Sequence, residues 1–328
     1  MLELEDERAS YRWKILAMTY VCMLSFALVF QSIPPLISLI VPKLQITYAQ
    51  AGLLMSLFAL PGIFVAIPGG IIADRFGMKK VGVASLSLMI AGTFLVGVSN
   101  NFLFMCGGRI VSGIGALTLA VVLPQLLSKW FIGKELGIGM GIFNTAMPLG
   151  TIISFNVLSI IGESFGWQTP VFLTTIACIF ALLMFLWLFM EPVENKKAKG
   201  KLLADVHKLG FPIWLVSIAW MWFNATFISF LTFARDFLIV KGYERGFTGF
   251  LTSIVMMGSL ILSPLIGYLV YRFGKEKLFI GFGGAVLALL LFFFPTSSFV
   301  VPLLILIGIF VAFVPAPIFS LPSKLVET

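Results

Sequence analysis

Ten runs of mainly apolar residues, each long enough to cross the roughly 30 Å hydrocarbon core of a bilayer, dictate the fold class of this chain. They occupy residues 14–40, 49–73, 80–98, 102–127, 137–161, 170–190, 211–233, 247–271, 278–295 and 299–321. Lipid offers no water to backbone N–H and C=O groups, so each run must satisfy its own hydrogen bonds as a helix. The expected fold is therefore an all-α integral membrane protein. Composition supports this: 60% of the residues are hydrophobic and 11% charged, where soluble domains carry about 25% charged residues. A soluble core could not hide that much apolar surface.

The net charge of +8 does not point to nucleic acid, because the basic residues lie in short loops beside apolar runs. There they set orientation. With the N-terminus in the cytoplasm, 17 Lys and Arg fall in inner segments, 4 in outer loops (Lys43, Arg235, Lys241, Arg245) and 1, Arg109, inside a span; 17 + 4 + 1 accounts for all 22. Arg235 and its neighbour Asp236 are expected to be solvated at the outer end of the seventh helix. The acidic opening MLELEDERASYRWK lacks the basic start and cleavage site of a signal peptide. A multi-pass protein of the plasma or inner membrane is expected.

Residues 191–210 form the longest charged stretch. They divide the chain into residues 1–190 with six helices, a basic linker at 191–210, and residues 211–328 with four. Residues 201–209 could lie on the inner membrane surface as an amphipathic helix; a solvated linker is the alternative. Cys22, Cys106 and Cys178 fall inside apolar runs and show no metal-ligand spacing, so no metal and no cofactor is expected. The single histidine, His207, lies in the linker. Without a nucleophile–base pair or a phosphate loop the chain does not read as an enzyme or an ATP-driven pump.

The chain repeats itself. Gly70-Ile-Ile-Ala-Asp-Arg-Phe-Gly-Met-Lys-Lys80 follows the second run, and Gly267-Tyr-Leu-Val-Tyr-Arg-Phe-Gly-Lys-Glu-Lys277 follows the eighth, an offset of 267 − 70 = 197 residues. Gly267, Arg272, Gly274 and Lys277 restate Gly70, Arg75, Gly77 and Lys80. Six helices intervene, so the two halves have the same orientation, and parallel repeats of this kind place substrate between halves near the midplane.

Residues 70–80 fit G-x-x-x-D-R-x-G-x-K-K, which resembles the signature loop between helices two and three of the major facilitator superfamily. Gly70 would permit close helix packing and Gly77 a tight turn. Asp74 could face a helix N-terminus, and Arg75, Lys79 and Lys80 hold the loop on the inner side. The resemblance implies a latch between halves; in the second copy Tyr271 replaces the acid. A second segment, Arg109-Ile-Val-Ser112-Gly113-Ile-Gly115, resembles the family's fourth-helix R-x-x-x-G-x-G, where the resemblance ties Arg to proton coupling or to the central site. Residues 109, 112, 113 and 116 are expected on one face. The alternative is an Arg that binds lipid phosphate or a backbone carbonyl. Helix five, with Pro148 between Gly141 and Gly150, is similar to the Gly/Pro-rich fifth helix of family exporters, but without its full pattern. The family usually has twelve helices, so the resemblance implies either a carrier lacking the last two helices of the second half or an unusual ten-helix member.

Substrate or coupling candidates are polar or aromatic residues near mid-depth: Gln31, Arg109, Ser112, Asn144, Asn156, Trp220, Trp222 and Asn224. The Asn residues could equally hydrogen-bond between helices and the Trp residues could pack or sit at an interface. A lone buried Arg favours an anion. On that ground an organic or inorganic anion is the candidate solute, and the resemblance implies secondary active transport of a small solute by alternating access, with protons as the coupling partner, membrane lipid around it, and a monomer as the working unit. Two other readings stay open: an efflux carrier for drugs or metabolites with the same fold, and a truncated, non-transporting receptor or assembly subunit.

Overall fold

The computed structural model describes residues 2–131, 134–191, 210–315 and 317–318, and among them there is helix and turn but no strand. The amphipathic stretch at 201–209 and His207 lie outside the described residues. Two compact units divide the chain, residues 1–193 and 194–328. Among the described residues, nine stretches are long and apolar enough to cross a membrane.

In the first unit prolines cut three of the spans. The first span is α1 (Leu2–Phe30), one 3-10 turn (Pro34–Leu36) and α2 (Ile37–Leu44). Pro34 and Pro35 lack the N–H groups that would bond the carbonyls of Phe30 and Gln31 in a continuous α-helix, so the helix ends there. The second span is α3 (Tyr48–Ala59) and α4 (Pro61–Phe76), divided at Pro61. α5 (Met78–Gly97) and α6 (Phe102–Trp130) are the third and fourth. The fifth is α7 (Lys134–Asn144), α8 (Ala146–Ile153), a wide π-turn (Ser154–Leu158) and α9 (Ser159–Phe165). α7 stops at Asn144 because Pro148 cannot donate to that carbonyl. α10 (Gln168–Leu188) completes the unit.

Glycines set the closest helix approach. A Cβ on Gly92 of α5 would overlap Ser112 N and fall 2.6 Å from Gly108 O; one on Gly115 of α6 would overlap Ser85 O. The two helices touch backbone to backbone along this seam, as small residues permit in lipid, where packing rather than hydrophobicity drives association. At the end of the unit where α1 enters its span, Arg12 makes a two-pronged ion pair with Glu135 at the start of α7, and Tyr11 Oη donates to Leu188 O at 3.1 Å.

The second unit holds α11 (Phe211–Val240), α12 (Arg245–Phe273), α13 (Glu276–Phe293) and α14 (Val300–Val311). α14 covers only 12 residues of the tenth expected run, about 18 Å of helix; residue 316 and residues 319–328 lie outside the described set. A Cβ on Gly258 would sit 2.9 Å from the Gly308 carbonyl carbon, so α12 and α14 meet at a glycine pair. Beside it, Ile266, Val270 and Ala312 are buried under Leu262, Leu269, Phe279 and Phe313.

One expectation fails here. Arg235 and Asp236 are not solvated: they are 0% and 4% exposed, and Arg235 Nη2 donates to Arg245 O at 3.4 Å. α11 does not end at 233 but runs to Val240, since no helix breaker precedes Gly242 (φ +92°). The charged pair thus lies inside the last turns of a helix. Beyond it Lys241 Nζ donates to Ser297 O at 2.6 Å, a cation on the carbonyls that follow α13.

Both signature loops turn at a glycine of positive φ, but in different conformations. Gly77 has φ +90°, ψ 141° and Gly274 has φ +60°, ψ 26°. Gly77 occupies a region closed to L side chains, at a cost of about 1–3 kcal/mol, whereas the left-handed region of Gly274 admits Asn. Gly77→Ala should therefore lower the melting temperature measurably and Gly274→Asn should not; equal effects would show that the first turn is not strained.

Candidate functional site

Arg109 organises the middle of the first unit. It is 1% exposed, and a guanidinium has five N–H donors that lipid cannot satisfy. The structure engages three of them with carbonyls. Nε donates to Leu54 O at 3.1 Å, Nη1 to Val29 O at 2.9 Å and Nη2 to Phe30 O at 3.3 Å. Nη2 also lies 3.4 Å from Met55 Sδ, and the guanidinium carbon stands 4.4 Å from the centre of the Phe58 ring, within cation–π range. Phe30 O is the carbonyl that Pro34 leaves without its helical donor. Arg109 supplies that donor from another helix.

The R-x-x-x-G spacing now has a physical reason. Gly113 lies one turn beyond Arg109, and a Cβ there would overlap Phe58 O. The absent side chain lets α3 close on α6, which brings Leu54 O and the Phe58 ring within reach of the guanidinium. The second unit repeats the contact without the charge. The 197-residue offset carries Phe58 onto Val255, and a Cβ on Gly308 would fall 3.0 Å from Val255 O. Four residues before Gly308 stands Leu304, fully buried, where Arg109 stands four before Gly113. α11, the counterpart of the broken first span, is continuous and has no freed carbonyl in its middle.

The other candidates divide. Gln31 joins Arg109: it follows Phe30 directly, is 2% exposed, and its Oε1 has no hydrogen-bond partner among the described residues. Ser112 does not, contrary to the single face expected for 109, 112, 113 and 116. Arg109 and Gly113 turn toward α1 and α3, while Ser112, with Gly108 and Gly115, turns toward α5. Its Oγ donates to Arg109 O at 3.1 Å, within its own helix. Asn144 is exposed at the end of α7. Asn156 Nδ2 donates to Ile152 O at 2.8 Å across the π-turn. In the second unit Asn224 Nδ2 donates to Trp220 O at 2.8 Å. Trp220 stacks on Phe223 at 5.5 Å, and Trp222 is 64% exposed.

In the signature loop Asp74 accepts from Gln125 Nε2 at 2.8 Å and lies 4.0 Å from Lys129 Nζ. Both partners are in the last turns of α6, a helix C-terminus and not the N-terminus expected for this acid. α4 and α6 end together, which places the acid beside them. A Cβ on Gly70 would find only an ordinary contact, Val121 Cγ1 at 3.6 Å; the tighter approaches are Gly69 to Thr118 Cγ2 at 3.3 Å and Gly62 to Leu117 Cδ1 at 3.0 Å. Arg75 stands 5.7 Å from the Phe76 ring and Lys79 5.9 Å from that of Phe189.

A family model described as Major Facilitator Superfamily matches residues 19–328. Similar proteins include the lysosomal dipeptide transporter MFSD1 of Danio rerio, 26% identical over 293 residues, 81% of this chain and 64% of that protein. The putative transporter AraJ of Escherichia coli is 26% identical over 300 residues, covering 85% and 72%. The nitrite extrusion protein of Bacillus subtilis is 22% identical over 275 residues, covering 82% and 68%. This chain thus spans less than two thirds of the MFSD1 relative. A crystal structure of a mutant of the nucleoside transporter NupG matches 95% of this chain and 82% of its own with TM-score 0.75 at 17% identity, a likeness of fold.

Proposed function

The chain belongs to the Major Facilitator Superfamily, and on that premise we propose that it is a secondary carrier, moving a small polar solute across its membrane by alternating access. The observation that carries this reading is the repeated signature loop. Two loops, 197 residues apart, each end a membrane helix at a glycine of positive φ. Parallel repeats of this kind rock about a site near the midplane. The similar proteins carry unlike solutes in their names, so the class proposed is a small polar solute and no narrower.

An anion preference rested on a free Arg109. Its guanidinium is engaged by three carbonyls, which leaves little reason to favour anions, and the proposal does not include one. Proton coupling, a cytoplasmic N-terminus and a monomeric unit belong to the same reading, supported by the family and by the bias of Lys and Arg among the loops.

The test is a thermal-stability screen of detergent-purified protein against dipeptides, nucleosides, sugar acids, inorganic anions and lipophilic cations. A ligand that binds only the folded state raises the melting temperature by mass action. Stabilisation by one class of polar solute is expected. A cooperative melt that no class shifts would count against a carrier of small polar solutes.

A further inference from the structure

The first and fifth spans are both interrupted, and the interruptions lie side by side. Thr145 Oγ1 donates to Tyr20 Oη at 3.2 Å. One turn and a half further on, a Cβ on Gly150 would run into Ala27 Cβ and lie 3.4 Å from Leu24 Cδ1. Further still, Gly162 faces Leu36 and Leu39. The residue numbers rise together on both sides, so the spans run parallel in this register. One turn beyond Ala27 comes Gln31, and one turn beyond Gly150 comes Ser154. Counted one turn on from that contact, the helical period carries both toward the facing sides of the two spans at the same depth, and the 3-10 turn Pro34–Leu36 touches the π-turn Ser154–Leu158 just beyond.

Both residues are buried, Gln31 at 2% and Ser154 at 0% exposure. Gln31 Oε1 and Ser154 Oγ have no hydrogen-bond partner among the described residues. The other such atoms of this unit, on Arg12, Gln125, Trp130 and Trp167, lie near span ends. These two lie in the middle third of spans Tyr11–Leu44 and Glu135–Phe165. Ser154 also declines the usual bond of a helical Ser to the carbonyl one turn back.

We propose that Gln31 and Ser154 together hold one small neutral hydroxyl-bearing ligand, an internal water molecule, between the broken first span and the π-turn of the fifth. The chemistry narrows the ligand. Gln31 Oε1 only accepts, so the ligand must donate. Arg109 already places a positive charge on Val29 O and Phe30 O, the carbonyls immediately before Gln31, which disfavours a metal ion or an ammonium group. The Gln31 main-chain carbonyl faces Pro34 and Pro35 at the positions of its helical donors, so it too is open to a donor. Two to four polar partners of this kind are what a buried water requires. The site does not depend on which solute the protein carries. A water there would bridge two helix breaks and let each shift without losing its hydrogen bonds.

The experiment is a set of solute-free thermal melts of the purified 328-residue chain carrying Gln31→Met, Ser154→Ala, or both. A shared water makes each single change leave the remaining group poorly satisfied, so both singles lower the melting temperature. The double variant then melts no lower than the weaker single, a non-additive result. If the two groups are dry, removing either relieves an unsatisfied polar atom: both singles raise the melting temperature, the double adds them, and the proposal is overturned. If the solute-free melts do not change but stabilisation by an added nucleoside or sugar is lost, the hydroxyl belongs to the solute and the water assignment fails.

Discussion

Replacing Arg109 by leucine lowers the stability of the first unit by about 3 kcal/mol and transport by tenfold or more. The expectation follows from competing terms. Leucine spares the desolvation of a buried charge, and it is what the second unit uses at Leu304. But hydrogen bonds to a charged group are worth about 1.5–3 kcal/mol each, and a carbonyl left unsatisfied costs about 1–3 kcal/mol. Three carbonyls lose a donor at once; Val29 O keeps the Ser32 hydroxyl at 2.8 Å, but Phe30 O has no helical donor to fall back on because residue 34 is proline. Half of that loss, falling on the transport-competent conformation, suffices for about a tenfold change in rate. Arg109→Lys keeps the charge but not the fork that reaches α1 and α3 together, so it should fall between. Pro34→Ala restores an N–H able to serve Phe30 O and should partly rescue Arg109→Leu. Thermal melts and initial uptake rates of the four proteins measure this. Equal damage from Arg109→Leu with and without Pro34→Ala would sever the link between the arginine and the helix break.

The second large effect is expected at the glycine seam. A methyl group on Gly92 would meet Ser112 N and Gly108 O, both backbone atoms, and neither can rotate away. α5 and α6 must separate, and every contact along them weakens. Overpacking usually costs about 1–3 kcal/mol; a clash on backbone should lie at the upper end or beyond, about 3 kcal/mol for Gly92→Ala. Gly107, one residue before the seam on α6, has nothing within 4 Å of its added Cβ. Gly107→Ala should stay within about 0.5 kcal/mol of the parent. Gel-filtration profiles and melts of the two variants compare them directly. If Gly92→Ala melts like Gly107→Ala, the helices are not held at backbone contact.

Nine of the ten expected spans are matched among the described residues, because lipid forces apolar length and helical hydrogen bonding on any chain that crosses it. The repeat was legible because Arg-Phe-Gly recurs at a fixed offset, and both glycines take the positive φ that such a turn needs. The partners of Arg109 were not legible. An arginine in mid-span announces that carbonyls, an acid or a ligand must be near, yet which of these depends on helices 55 and 80 residues away in the chain. In hindsight Pro34-Pro35 was the signal, since two missing N–H groups in a span must leave carbonyls for something to serve. Ser154 escaped notice because a serine in an apolar helix is ordinary, and only the π-turn makes it unusual. Arg235 and Asp236 were misplaced because a charged pair looks like a helix end, whereas the helix breaker comes seven residues after Arg235, at Gly242.

The measurement that bears most directly on alternating access is counterflow in proteoliposomes. The purified chain is reconstituted without ATP, and vesicles are loaded with an unlabelled solute of the class that stabilises the protein. Entry of labelled solute is then followed. The account predicts that internal solute accelerates entry of the label, and that Arg109→Leu abolishes the acceleration. Well-folded, reconstituted protein that gives no faster entry from loaded than from empty vesicles would contradict it.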